Sequence, residues 1–483
     1  MSISASQVAE PSGPSLAVAA LVARARVAQR LFERYDQTQV DEVVTAAAWA
    51  LLDPAHNQGL SEQAVSDTGL GRVADKVAKN RRKTLGLLRD LKGARSVGVI
   101  AEHPADGIVE IARPVGVVGA VVPSTNPVAT PMNKTLNALK GRNAIILAPS
   151  PKGAAVCARL LGYIREELAR VDAPQDLVQM LPMPVSKALT QALMQQVDLV
   201  VVTGSQNNVR GAYASGTPAI GVGAGNVPVI IDATADVAAA AEKIAVSKSF
   251  DNATSCSSEN SVIILDAVYD RALQALQAAG GRLLDAAEKA RLQSVMWVQG
   301  KLNPAVVARS AQRILEVAGL DGAGHDGVRL LLVEENGVGP DHPYSDEKLS
   351  PVLAVYRAAD FAAAKSLAER LLRFNGAGHS IGIHSTDADH VSELAHELPV
   401  CRVIVNQPHA IATGGNFDNG LPFSLSMGCG TWGRNSISDN LNYRHFLNTT
   451  RIVRTIPPRN VDDAEIFGAF WEKYGIDAVG TPA

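Results

Sequence analysis

The sequence predicts an α/β protein made of two doubly wound parallel-sheet domains with a projecting β arm, and three observations carry that expectation. At 483 residues the chain exceeds the size at which one hydrophobic core stops growing, so it divides into domains. Between Pro114 and Val246 short apolar runs alternate with helical stretches, as parallel strands joined by crossover helices do. The same alternation resumes after a serine-rich segment and runs to CRVIVN at residues 401–406.

Taken in order, the opening MSISASQVAEPSG has neither periodicity nor the basic-then-apolar order of a secretory leader, and its first dozen residues read as a loose arm. Residues 16–52 are alanine-rich, with Leu21, Val22, Ala25, Val27 and Leu31 at helical spacing. VGVIAEHPADGIVEIARPVGV, residues 97–117, reads as two alternating strands around a Pro-Ala-Asp-Gly turn, a hairpin whose apolar faces suit pairing with another subunit. The strands PVGVVGAVV, NAIILA, VDLVVVT and VPVIID follow, separated by helices. Beyond them come SVIILD, a helical region at 267–294, VRLLLV, PVLAVY, SIGIH and CRVIVN. Near the end, Ile466, Phe467, Phe470 and Trp471 form an apolar helical face suited to packing on a neighbouring domain or subunit. The expected division is 1–240, 241–435 and a C-terminal arm and helix at 436–483.

Composition narrows the function. With 19% charged residues and a net charge of -3, the chain has no basic footprint for nucleic acid or anionic lipid. No apolar run reaches the ~20 residues of a membrane helix. The cysteines Cys157, Cys256, Cys401 and Cys429 form no C-x-x-C pair, and no histidine spacing suits a metal, so the reading is a cytoplasmic protein without a metal site.

Cys256 lies in SFDNATSCSSENSVIIL between a predicted helix and a strand, among hydroxyl side chains. A packing cysteine is a buried small hydrophobe, a reading that suits Cys157 on the apolar face of a helix and Cys401 beside a strand, whereas a nucleophilic thiol needs access and nearby dipoles. Asn126, between Thr125 and Pro127, reads either as a turn cap or as an oxyanion donor. Thr203-Gly204-Ser205 closes a strand and opens a helix, where backbone N–H groups can meet a pyrophosphate. Ser150-Pro151 reads as a helix cap with proline at the first position, which puts the Lys152 cation at an unfavourable helix end unless an anion binds there. Gly428-Cys429-Gly430-Thr431-Trp432-Gly433 fits G-x-G-x-x-G literally but lacks the strand that should precede it.

Three blocks, PSTNPVATPMNKTLNALKGRNAIILAPSPKG, SFDNATSCSSENSVI and EKLSPVLAVYRAADF, together resemble the CoA-acylating branch of the aldehyde dehydrogenase superfamily, over nearly the whole chain. The resemblance implies a Rossmann-like cofactor domain, a catalytic domain, an oligomerisation arm and a homodimer or homotetramer. It makes Cys256 the nucleophile and Asn126 the oxyanion partner. Glu347 then holds the nicotinamide ribose, and Ser150, Lys152, Thr203, Gly204, Ser205 and Gly225 lie on the cofactor side. Ser124, Thr125, His409, Gly430 and Arg434 are candidate contacts for substrate or CoA.

Hydrolytic relatives carry a water-activating Glu where this chain has Val222, so the thioester is expected to pass to CoA instead. Lys152, with Pro151 where NAD-preferring relatives carry an acid, favours NADP over NAD. A small aldehyde is expected from the 4% aromatic content. Within the branch the overall likeness is to enzymes of sulfoacetaldehyde, with succinate semialdehyde and acetaldehyde or propionaldehyde as rivals. An anionic substrate needs a cation, and Arg434, His409 and Lys248 are candidates by position. The competing functions are a hydrolytic dehydrogenase, a cysteine acyl hydrolase and a non-catalytic scaffold.

Overall fold

The computed structural model describes residues 13–320, 322 and 327–476. The expected loose arm at the first dozen residues lies outside them. Two parallel sheets dominate, each with its own buried core.

The first sheet has five strands, in spatial order Val178–Met180, Ala144–Pro149, Val117–Val122, Leu199–Thr203 and Ala219–Val222. Its earliest strand is central, so the winding reverses between Val117–Val122 and Leu199–Thr203. Crossover helices leave in opposite directions there and open a crevice at the carboxyl ends of the strands. Both central strands are buried almost throughout, which is why they read as continuous apolar runs rather than alternating ones. The alanine-rich N-terminal segment forms helices Gly13–Phe32 and Gln37–Leu52, whose apolar stripes join this core. Helices Pro54–Thr68 and Val73–Leu91 follow before the hairpin.

The second sheet has seven parallel strands, in order Gly281–Leu283, Leu330–Glu334, Val352–Ala358, Glu259–Leu265, Val227–Ile231, Ile381–His384 and Val403–Val405. The 267–294 region, expected to be helical, is instead split. Helix Tyr269–Ala278 ends at a glycine pair, Gly281–Leu283 pairs with Leu330–Leu332 as an edge strand, and helix Ala286–Met296 follows. Gly280, at φ 98°, makes the break.

The hairpin forms as strands Gly98–His103 and Ile108–Pro114 around a turn at Pro104–Asp106. A third strand, Leu447–Val453, pairs antiparallel with Ile108–Pro114 and completes the arm from the other end of the chain. Residues before it return to the first core, where Phe423, Leu441 and Phe446 are fully buried. Helix Asp463–Tyr474 buries no residue, and Ile466, Phe467 and Phe470 are exposed. No helix among the described residues is long and apolar enough to cross a membrane.

Candidate functional site

Cys256 follows helix Val237–Ser249 and a short turn at Phe250–Ala253, and precedes strand Glu259–Leu265. Asp251, Asn252 and Ala253 stand consecutively in the left-handed region, at φ 50°, 52° and 59°. Each non-glycine residue there costs about 1–2 kcal/mol, so the turn needs outside fastening. Asp251 accepts from the Arg72 N–H at 2.8 Å and donates its own N–H to Asp75 at 2.9 Å, while the Asn252 amide donates to Ala308 O at 3.2 Å.

The fastening comes from helix Val73–Leu91. Lys76 and Lys79, one turn apart, both reach Asp251 Oδ2, at 3.2 and 2.5 Å. Burial works against the Asp251 carboxylate, but Lys79, Lys76 and the hydrogen bonds outweigh it and hold it below the ordinary value. Lys79 Nζ also donates to Thr254 Oγ1 at 3.0 Å and to Asn126 Oδ1 at 2.9 Å.

Asn126 and Cys256 line one cavity of about 300 Å³ between the two sheets, together with Thr125, Thr203, Glu347 and Lys83. Burial, then Glu347 and Cys429, push the Cys256 thiol up to about 12, so the resting sulfur is protonated. Glu347 is itself pushed up to about 8, by burial first and Asp346 second, although the Gly225 backbone bonds it. Lys83 is the only lysine or arginine among the described residues lining the cavity. Its Nζ donates to Gly414 O at 2.6 Å and Gly415 O at 3.2 Å, and burial, Arg82 and Lys79 lower its pKa well below that of an exposed lysine.

A second cavity of about 570 Å³ opens at the reversal of the first sheet and shares Thr203, Gly204 and Ser205 with the first. Ser124, Ser150 and Pro151 line it, and so does Lys187 in the first turn of helix Lys187–Gln196. Strand Leu199–Thr203 does lead into helix Gln206–Tyr213, with Ser205 Oγ accepting from the Asn208 N–H at 3.4 Å. Ser150 corrects its expectation: its side chain caps nothing, and a 3-10 turn, Pro151–Gly153, stands before helix Ala154–Arg170. Lys152 sits exposed in that turn rather than in an α-helix.

Other expected site residues lie away from the first cavity's surface. His409 is buried behind its wall, with Nδ1 against Ser257 O at 2.8 Å and its pKa lowered to about 4 by burial. Lys248 is fully buried, and its pKa is lowered by burial despite Glu259 and Glu347. Gly225 packs so closely on the nucleophile's backbone that a Cβ there would stand 2.3 Å from Cys256 O. Arg434 is exposed and lines a separate 200 Å³ cleft with Trp432 and Gly433, while Gly430 belongs to the loop beside it. Val222 ends its strand as a buried side chain, immediately before the cavity residues Gly223 and Ala224. Sequence reading missed Lys76, Lys79, Lys83 and Asp251.

Comparison with known proteins agrees with this arrangement. The sequence pattern of the aldehyde dehydrogenase family matches residues 8–318. The chain is 61% identical to the sulfoacetaldehyde dehydrogenase (acylating) of Cupriavidus necator, covering 95% of this chain and 93% of the relative. It is 42% identical to the Bilophila wadsworthia enzyme of the same description, over 93% and 98% of the two chains. Among solved structures, an acetylating aldehyde dehydrogenase from Geobacillus thermoglucosidasius superposes with a TM-score of 0.89 at 34% identity, over 93% of this chain and 98% of that one. With two parallel sheets, an antiparallel arm and a cysteine at their junction, the chain belongs to the aldehyde dehydrogenase family.

Proposed function

We propose that this chain oxidises sulfoacetaldehyde to its acyl-CoA, with Cys256 carrying the acyl group as a thioester. The observation that carries the choice of an anionic aldehyde is Lys83, the single lysine or arginine among the described residues in the wall of the cavity that also holds Cys256 and Asn126. Among the described residues no carboxylate hydrogen-bonds the buried Lys83 Nζ, which two backbone carbonyls hold, so an anion at close range is missing and only Asp90 acts on it from farther away. A sulfonate entering that cavity supplies one, and its three oxygens match a donor with an unused N–H. The relatives from Cupriavidus and Bilophila, which share its length and sequence, support the same substrate.

In this reading Cys256 first loses its thiol proton to solvent, and the small thiolate fraction adds to the aldehyde carbon. The oxyanion so formed is held by the Asn126 amide and the Cys256 backbone N–H. Thr203, Gly204 and Ser205 bind a pyrophosphate at the mouth of helix Gln206–Tyr213, and Glu347 holds the adjoining ribose. Nicotinamide, when bound, supplies the hydride acceptor. The thioester then meets no carboxylate at position 222, and the CoA thiol resolves it to acyl-CoA. Lys152, exposed beside the cavity residues Ser150 and Pro151, and Lys187 in the cavity wall favour a 2′-phosphate and hence NADP over NAD. Four free cysteines suit a reducing cytoplasm, and the exposed Ile452 and Val453 of the arm suit a homodimer or homotetramer.

The test follows reduced cofactor with sulfoacetaldehyde, succinate semialdehyde and acetaldehyde, with and without CoA, in wild type and Lys83→Met. Turnover is expected to require CoA. Breaking a buried pair costs about 3–5 kcal/mol, so Lys83→Met is expected to cut kcat/KM for sulfoacetaldehyde about 10²-fold or more and to spare acetaldehyde. Free acid made at full rate without a thiol, or equal losses on charged and neutral aldehydes, would refute the proposal.

A further inference from the structure

The cluster formed by Lys76, Lys79 and Asp251 lies outside the groups that touch an aldehyde or cofactor, yet it ends on one that does. Lys79 Nζ has three donors, and three acceptors surround it: Asp251 Oδ2 at 2.5 Å, Asn126 Oδ1 at 2.9 Å and Thr254 Oγ1 at 3.0 Å. Thr254 Oγ1 in turn donates to Asp251 Oδ2 at 2.7 Å. Lys76 Nζ holds the same carboxylate oxygen at 3.2 Å and the Thr125 carbonyl, next in the chain to Asn126, at 3.1 Å. All three charged side chains are at most 6% exposed.

An ammonium has no acceptor, so the end of the Asn126 amide facing Lys79 must be its oxygen. The Nδ2 group is thereby left as the end available to the cavity. A flipped amide would point N–H toward a buried cation and a carbonyl toward a developing oxyanion, wrong at both ends. The cation on Oδ1 also draws electrons from the amide and makes its N–H groups stronger donors.

We propose that Lys79, anchored by Asp251, is a positioning residue for the oxidation: it fixes the Asn126 amide with Nδ2 toward the oxyanion and polarises it. The proposal rests on Asn126 acting as oxyanion donor. Asp251 serves both parts of the site at once, because the carboxylate that neutralises Lys79 also belongs to the left-handed turn preceding Cys256.

A double-mutant cycle between Lys79 and Asn126 tests it, with acetaldehyde, CoA and saturating cofactor, and with folding checked by circular dichroism. Asn126→Ala is expected to lower kcat by about 10²–10³-fold. Lys79→Met is expected to lower kcat by about 10–10²-fold with KM within about twofold, and to add less than about twofold in the Asn126→Ala background. A Lys79→Met loss of equal size in both backgrounds, or a loss confined to KM, overturns the proposal and makes Lys79 a brace for the turn. Should Lys79→Met not fold, Lys79→Gln is read in the same cycle. Its amide still donates to Asn126 Oδ1, so a milder kcat loss is expected, and one that persists undiminished without Asn126 overturns the proposal. Wild-type turnover in Asn126→Ala would instead sink the oxyanion reading itself.

Discussion

Replacing Glu347 by glutamine is expected to stabilise the protein, and to do so only at alkaline pH. Glu347 is raised from an ordinary 4.5 to about 8, by burial first and the Asp346 carboxylate second. Between those two values the folded chain keeps a proton that the unfolded chain has released. Unfolding free energy therefore falls as pH rises through the window, and the whole penalty is present above pH 8. At about 1.4 kcal/mol per unit, the displacement from 4.5 to about 8 amounts to about 5 kcal/mol. Glutamine has nearly the same shape and no proton to lose. The two proteins should melt together near pH 5, with the variant higher at pH 9 by roughly 5 °C for a chain of 483 residues. Melting both by circular dichroism from pH 5 to 9 reads this group together with the shifts its removal causes at Cys256, Lys248 and Lys348. A difference that is flat across the range, or that grows toward acid, would refute the assignment of a buried, largely protonated Glu347.

Two further expectations concern the same cavity and its mouth. Because burial, Glu347 and Cys429 push the Cys256 thiol up to about 12, inactivation by iodoacetamide should rise about tenfold per pH unit between 7 and 9. Labelling should vanish with turnover in Cys256→Ala, and a rate already level by pH 8 would contradict the shift. Lys152→Ala should lower kcat/KM with NADP more than with NAD, and an unchanged ratio would remove Lys152 from cofactor choice.

What was legible in the sequence was local. Strand periodicity located both parallel sheets, the Pro-Ala-Asp-Gly turn located the hairpin, and hydroxyl neighbours singled out Cys256. The lysines of ADKVAKNRRK were not legible, because a charged helix normally presents such residues to water. Docking of helix Val73–Leu91 on a turn some 170 residues later buries Lys76 and Lys79, and Lys83 is buried against Gly414 and Gly415, some 330 residues later. Of the candidates offered for an anion, Lys248 and His409 face into the packed wall and Arg434 lines a separate cleft, placements that sequence position does not encode. The third strand of the arm was hidden in LNTTRIV, whose pairing with Ile108–Pro114 spans more than 300 positions. Gly281–Leu283 was missed because three residues are too few to show a period.

The span of the lysine clasp also bears on biosynthesis. Asp251 is grasped by side chains translated some 170 residues before it, and the Lys83 carbonyl partners, Gly414 and Gly415, emerge some 330 residues after the lysine itself. The cavity around Cys256 closes only once Ala410, Gly414, Ser424, Leu425 and Met427 of its wall have been made. A chain ended before residue 410 lacks that part of the wall, so a complete cavity is a report on a completed chain.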